Sequence, residues 1–338
     1  MNFLLFATEN YALEIMHPLQ EEIEAAGHRA CWFFSKPVEE RWRKGLPILD
    51  TVNEVLDFNP AAVFVPGNWV PPFFPGLKVQ IFHGFGIEKK GHFRIRGFFD
   101  LYCTHGPLTT EPFQELARQH GHFKVVETGW PKVDPLFDRP PARKPGNRPI
   151  LLYAPTFSPA LTSAEALWKP LVELSQGGDF DIRIKFHPKM DRRIADRYRD
   201  SQNDRLRVVE QPSILPLMQD SDLLLTDTSS VVYEYLLLEK PVVTFRNSRP
   251  GSHVVDFHEP AQLLPTLSRT WAERESVVEQ ARKVADRMHP YRDGKSSRRV
   301  LDATLDMLEH PPSDLKRKPW NLWRRWQVRQ RMGYYRWH

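Results

Sequence analysis

Cysteine is scarce in this chain. Only Cys31 and Cys103 occur among 338 residues, far apart and each inside an apolar run. That spacing excludes a disulfide-dense scaffold and a cysteine-ligated metal knot. Both are expected as small buried side chains in a reducing compartment. Long apolar stretches are also missing. None approaches the roughly 20 residues a membrane-spanning helix needs. The opening "MNFLLFATEN" lacks the basic start of a secretory signal, so a cytoplasmic protein is expected. Glycine is sparse beside proline, 17 against 30, and many prolines stand at segment ends, where they punctuate rather than disorder. No repeat of solenoid period is present. Acidic residues vanish from the last stretch. "LKRKPWNLWRRWQVRQRMGYYRWH" (315–338) carries eight Lys/Arg and no Asp or Glu. The net charge is +5, so removing those eight leaves the rest near −3. The basic character is predicted to belong to a tail rather than to the folded body.

What is present is ordinary globular composition, 41% hydrophobic and 26% charged, long enough for two domains. Short apolar runs alternate with amphipathic stretches. "NFLLFA", "HRACWFF", "AAVFVPG", "KVQIFHG", "FFDLYCTHG" and "FKVVETG" read as strands, the last four of these ending in Gly. "ILLYAPT", "FDIRIKFHP", "RLRVVE", "DLLLTDTSS" and "KPVVTF" repeat the style after the Pro/Arg-rich "DRPPARKPGNRP". Near-continuous apolar strands separated by helices predict buried parallel sheets. The expected fold is α/β, with two Rossmann-like doubly wound domains facing each other across a cleft. The expected boundaries are 1–140, a linker at 141–149, a second domain at 150–288, a closing helix at 289–312 and a basic aromatic tail at 313–338. Helical patterns are read at 11–26, 271–288 and 294–309.

Open α/β sheets bind ligands outside the carboxyl ends of their strands. The strand exits here are His83-Gly84, His105-Gly106, Pro155-Thr156, His187-Pro188 and Asp227-Thr228-Ser229-Ser230. Ser229 and Ser230 open a helical pattern, where hydroxyls cap and free backbone N–H groups suit a phosphate. Glu234 falls four residues on, near the same face, placed to accept from ribose hydroxyls. An N-cap alone also accounts for a polar residue there, though a cap needs only one. A single histidine at a strand end is commonly structural. Two of them, His83 and His187, one in each half, point to proton transfer near neutral pH. Lys89, Lys90, His92, Arg94 and Arg96 read as a solvated basic loop or as an electropositive wall for an anionic ligand.

In order along the chain, "VQIFHG…EKKG", "VVETGWPKVDPLF", "ILLYAPTF", "IKFHP", "MQDSDLLLTDTSSVVYEYLLLEKPVVTF" and "HPYRDGKSSRRV" resemble the CDP-glycerol glycerophosphotransferases, the teichoic-acid-type polyol-phosphate transferases. The resemblance runs from about residue 79 to 300. It implies a GT-B-like fold and transfer of glycerol phosphate from CDP-glycerol to a hydroxyl of a cell-envelope glycan or lipid-linked acceptor, releasing CMP. It implies no obligatory protein-bound metal and no other cofactor. His83 and His187 match the family's central histidines. Asp227-Thr228-Ser229-Ser230 matches its Asp-Tyr-Ser-Ser, and Glu234 the acid further along that helix. Thr156, Asp227, Thr228, Ser229, Ser230 and Glu234 are then expected on the donor, and Lys89 and Lys90 on anionic groups of the acceptor. The chain departs from the family at "HGFGIEKK", where His-Gly-Thr-Pro-Leu-Lys is usual, and at "PTFSP", which lacks an arginine.

The tail interleaves Trp320, Trp323, Trp326 and Trp337 with its basic residues. Trp and Tyr favour the membrane interface and Lys and Arg favour anionic headgroups. An anionic membrane surface is therefore expected as a partner of 315–338, on the inner face of the cell membrane, with packing of the tryptophans against the folded body as the alternative, and nucleic acid is not expected. A GT-B glycosyltransferase using a sugar nucleotide, a sugar-nucleotide epimerase and a non-catalytic nucleotide sensor are the alternatives.

Overall fold

The computed structural model describes residues 1–38, 43–86, 91–138 and 148–336. The chain forms two compact units, Met1–Phe137 with Met288–His338, and Asp138–Arg287. Of the expected linker at 141–149, only Arg148 and Pro149 lie inside the described residues.

The first unit holds β1 (Asn2–Ala7), β2 (Arg29–Phe34), β3 (Ala62–Val65), β4 (Leu77–Gln80), β5 (Leu101–Thr104) and β6 (Lys124–Glu127). Their order is β2-β1-β3-β4-β5-β6, every neighbouring pair parallel. Phe3, Leu4, Leu5 and Phe6 on β1 are all fully buried. A strand covered on both faces needs this unbroken apolar run, which is why no polar alternation marks it. The longer helices between them, among the described residues, are α1 (Tyr11–Ala25), α2 (Val52–Phe58) and α3 (Pro107–His120). Local chemistry sets their ends. Thr51 and Glu54 form a capping box ahead of α2, and Asn59 closes it in the left-handed region. Pro107 opens α3 and Gly121, at φ 73°, ends it.

The second unit repeats the plan. It holds β7 (Ile150–Tyr153), β8 (Asp181–Ile184), β9 (Leu206–Val208), β10 (Leu223–Thr226), β11 (Val242–Phe245) and β12 (Val255–Phe257). Their order is β12-β11-β10-β7-β8-β9, again parallel throughout. The strand β12 was not read from the sequence, because three residues in "HVVDFHEP" carry too short a pattern. Between these strands lie α4 (Trp168–Gly177), α5 (Arg192–Asp200), α6 (Leu215–Asp220) and α7 (Val231–Leu236), followed by α8 (Leu263–Ala272) and α9 (Arg274–Met288). The single helical stretch expected at 271–288 is thus two helices, parted at Glu273.

The chain re-enters the first unit at Met288 and forms α10 (Ser296–Glu309) and α11 (Leu322–Met332). The Asp134 carboxylate accepts the Ser296 and Ser297 backbone N–H at 2.8 and 2.7 Å, serving as a cap donated from elsewhere in the chain. His289 Nε2 accepts the Trp130 N–H at 2.9 Å. Gly129, at φ 82°, sits between these contacts. A Cβ there would stand 2.4 Å from Ser296 Oγ and 2.9 Å from His289 Nε2. The "GWPKVD" and "HPYRDGKSS" motifs therefore hold each other.

The C-terminal segment is a correction to the reading of a separate tail. Lys318 Nζ donates to Asp100 Oδ2 at 2.6 Å and to the Phe98 carbonyl at 2.9 Å, and Asn321 Nδ2 donates to the Arg96 carbonyl at 2.7 Å. Val328 and Met332 join the first unit's core, and Tyr334 lies on Phe73 with ring centroids 4.8 Å apart. The physical reason is that two apolar residues one turn apart suffice to dock a short helix. The eight cations around them hide that narrow stripe from a composition count. No helix among the described residues is long and apolar enough to cross a membrane.

Candidate functional site

The strand order of each sheet reverses once. In the first it does so between β1 and β3, in the second between β7 and β10. Connections leave a switch point in opposite directions, which opens a crevice beyond the strand ends. Both switch points carry residues singled out in the sequence.

In the first unit a cavity of about 610 Å³ lies at the carboxyl ends of β1 to β4. Thr8 and Glu9 follow β1, Ser35 and Lys36 follow β2, and His83 follows β4. Gly67, Asn68 and Trp69 follow β3. The approach to His83 is strained. Phe82 has φ 58°, a conformation bulky side chains avoid, and its carbonyl accepts the Trp130 indole N–H at 3.3 Å. Phe82 is buried while the next residue, His83, is exposed, so the kink carries the imidazole out of the core. His83 Nδ1 lies 3.3 Å from the Pro66 carbonyl oxygen. A carbonyl only accepts, so Nδ1 carries the hydrogen and the Nε2 of the neutral ring holds a lone pair. Tyr11 borders the same ring at 5.6 Å.

His105 does not join this edge. It is fully buried, with its ring edge-on to Phe82 and Phe85, and burial pushes its pKa well below the ordinary value. It is a core histidine. Lys89 and Lys90, the expected acceptor cations, lie outside the described residues.

In the second unit the switch point is tied by Asp227. One carboxylate oxygen accepts the Thr156 N–H at 2.9 Å. The other accepts the Ser163 N–H and the Ser163 hydroxyl, both at 2.9 Å. Burial raises its pKa, opposed by those hydrogen bonds. Asp227 has no exposed surface. It was expected among the donor ligands. Its oxygens are instead occupied within the fold, where they fix the loop that follows β7.

That loop carries Thr156 and Phe157. Phe157 stacks on His187, centroids 4.3 Å apart at 28°, and Lys189 Nζ sits 5.8 Å over the Phe157 ring. His187 Nδ1 accepts the Lys189 N–H at 3.0 Å. Nδ1 is therefore the acceptor and the Nε2 of the neutral ring carries the hydrogen, the reverse of His83. Burial, then Lys189 and Lys185, lower the His187 pKa, which favours that neutral ring. Phe157 is a candidate site residue that the sequence reading did not single out. Its signal was its place directly after Thr156 at a strand exit.

Beyond β10, Thr228 Oγ1 accepts the Ser248 N–H at 2.9 Å, linking the loops after β10 and β11. Ser229 Oγ accepts the Val231 N–H at 3.4 Å. Ser230, the residue before α7, makes no side-chain cap. Its backbone is already helical, at φ −68° and ψ −16°, whereas a capping side chain needs an extended residue. Ser230 stays exposed, and Glu234 is buried on α7.

The family described as CDP-glycerol:poly(glycerophosphate) glycerophosphotransferase matches residues 98–306. The chain belongs to this family. The match takes in the whole second unit but neither His83 nor α11. The teichoic acid glycerol-phosphate primase of Bacillus subtilis (strain 168) is 24% identical over 265 residues, which are 66% of this chain and 66% of the primase. The ribitol-phosphate primase of Bacillus spizizenii is 27% identical over 71% of this chain and 72% of its own. The Staphylococcus aureus ribitol-phosphate polymerase TarL is 27% identical over 66% of this chain but 46% of its own length. The match thus spans less than two thirds of TarL and just under two thirds of the B. subtilis primase. The wall teichoic acid polymerase TagF has the same fold, with a TM-score of 0.66 at 17% identity over 91% of this chain and 89% of that one. So does a UDP-N-acetylglucosamine 2-epimerase homologue from Listeria monocytogenes, at 0.66 and 13% over 93% and 98%. The fold is GT-B-like.

Proposed function

We propose that this glycerophosphotransferase-family protein transfers a polyol phosphate from a CDP-polyol, glycerol in the first instance, to a hydroxyl of an envelope glycan or lipid-linked acceptor. CMP is released. The observation that carries the reading is the opposite tautomers of His83 and His187. One imidazole has an Nε2 able to take a proton, the other an Nε2–H able to give a hydrogen bond to a phosphate.

In this reading the acceptor oxygen attacks the β-phosphorus and its proton passes to His83 Nε2. The bond from the β-phosphorus to the bridging oxygen breaks, and the electron pair leaves with CMP. His187 Nε2–H hydrogen-bonds the phosphate oxygens as their charge grows. Lys185 and Lys189 add positive charge beside it. Phosphoryl transfer needs mostly placement and charge neutralisation, and the protein's own cations and N–H groups supply both here. Thr156, Ser229, Ser230 and Glu234 hold the nucleotide, with Asp227 acting through the Thr156 loop.

The C-terminal segment supports attachment to an anionic membrane surface. Trp320 and Trp323 are 78% and 67% exposed, and Leu322, Trp326 and Tyr335 are exposed with them amid arginines. Bulky apolar side chains held outward beside cations suit the headgroup region.

The test is a donor panel of CDP-glycerol, CDP-ribitol and UDP- or CMP-sugars, followed by nucleotide release and mass analysis of the acceptor. CMP release from a CDP-polyol is expected. His83→Ala and His187→Ala each cut turnover by about 100- to 10,000-fold with unchanged melting. Near-wild-type turnover in either variant, or release only from sugar nucleotides, refutes the reading.

A further inference from the structure

The cavity beside His83 has a wall from the far end of the chain. Arg331, on α11, lines it together with Trp69, Asn68 and Lys36. The Arg331 guanidinium lies 5.5 Å over the Trp69 ring, and Trp69 packs edge-on against Phe6 of β1 at 5.2 Å. On one side of Arg331, Val328 is buried and Arg329 lies 4.9 Å over Phe73. On the other, Met332 and Tyr334 are docked. A residue bracketed in this way has little freedom to leave the cavity.

The charge around it is one-sided. Arg96 Nη1 donates to Asn68 Oδ1 at 2.7 Å. Burial lowers the Arg96 pKa, and the nearby charges of Arg94, Arg324 and Arg331 lower it further. None of these four arginines forms an ion pair with a carboxylate among the described residues. The carboxylate lining the cavity, Glu9, is paired with Lys36. Gathered guanidiniums without a counter-charge repel one another, and a bound phosphate would relieve that repulsion. Arginine's planar fork matches phosphate oxygens in pairs. A volume of about 610 Å³ is within the range of small-molecule sites, and its rim already holds His83.

We propose that the cavity is the acceptor subsite, that its ligand is a phosphorylated glycan or polyol, and that Arg331 is the specificity-determining residue that grips the phosphoryl group while the hydroxyl end meets His83. This rests on the transferase reading above. Both α11 and the cavity's β1 to β4 exits lie outside residues 98–306, the span of the family match.

The experiment is calorimetric binding to the full chain, without lipid, using glucose 1-phosphate, methyl glucoside and inorganic phosphate as probes. Glucose 1-phosphate should bind about 10-fold or more tightly than the neutral glycoside, the ordinary worth of a charge-assisted pair. Arg331→Gln should abolish that difference, and Arg331→Lys should restore part of it, with both variants melting as the wild type does. Under turnover, Arg331→Gln should raise KM for the acceptor and leave KM for the CDP donor unchanged. Equal binding of the charged and neutral probes, or undiminished binding of glucose 1-phosphate by Arg331→Gln, overturns the proposal. So does inorganic phosphate binding as tightly as the sugar phosphate, which would mark a site for the free anion. Binding needs no turnover, so an inactive donor panel with Arg331-dependent binding would sink the transferase reading alone.

Discussion

Removing the Asp227 carboxylate should loosen the proposed donor half of the site before it touches the chemistry. In Asp227→Asn the amide oxygen can face Ser163 and keep both of those bonds. The amide nitrogen then faces the Thr156 N–H, donor against donor, and that N–H keeps only its longer 3.2 Å contact to the other oxygen. A buried N–H left wholly unmet costs about 1–3 kcal/mol, which bounds the loss. Burial already disfavours the Asp227 charge, so neutralising it offsets part of that loss, and about 1–2 kcal/mol is expected. Asp227→Ala strands the Thr156 and Ser163 N–H groups together. The Ser163 hydroxyl keeps Tyr153, 2.8 Å away, so it adds little. The expected cost is about 3–5 kcal/mol. For a unit the size of Asp138–Arg287, each kcal/mol lowers the melting temperature by roughly 2–4 °C. Thermal unfolding should therefore rank wild type above Asn above Ala. Because the loop carries Thr156 and Phe157, KM for the CDP donor should rise in Asp227→Asn more than kcat falls. If Asp227→Asn melts and binds donor as the wild type does, or if the alanine variant is the milder one, Asp227 is not the brace described here.

Three further outcomes are expected. Burial depresses the His289 pKa to about 4 from an ordinary 6.5, so between those values the unfolded chain binds the proton and the folded one does not. Stability is then full above pH 6.5 and falls by about 3 kcal/mol as the pH drops to about 4. His289→Gln, which can still accept from Trp130, should flatten that decline in urea melts, and parallel curves would argue against it. Gly129→Ala forces a Cβ into a left-handed position facing Ser296 and His289, and should lower stability by about 2–3 kcal/mol; an unchanged urea midpoint would contradict this. Trp323→Ala with Trp326→Ala removes two exposed rings stacked at 4.8 Å. It should reduce sedimentation with anionic vesicles while leaving melting unchanged, and undiminished retention would remove these residues from the membrane-binding surface.

The positions of the two candidate histidines were legible because strand exits are local. "KVQIFHG" and "IRIKFHP" each end an apolar run in a histidine, and the structure places both histidines exposed beyond their strands. The same rule failed for His105, which follows "DLYCT" in the same manner. Phe82, Phe85 and Trp130 close over its ring, and all three come from other strand exits, those of β4 and β6. Asp227 was legible as a surplus polar residue, but its partners were not, because Thr156 and Ser163 lie far earlier in the chain.

The apolar runs, the alternation of strand and helix and the ordered motifs were enough, by themselves, to determine a doubly wound α/β chain of the glycerophosphotransferase family. These are properties of neighbouring residues, and the physics behind them, burial on both faces of a parallel strand, acts within a few positions. The tertiary structure alone decided the two switch points, the tautomers of His83 and His187, and the docking of α11 that brings Arg331 beside Trp69. Each of those depends on which carbonyl, N–H or ring meets a side chain from 2 to more than 200 residues away. Only His187 meets its partner within reach of a local reading, and there the hydrogen bond is backbone geometry that composition does not record.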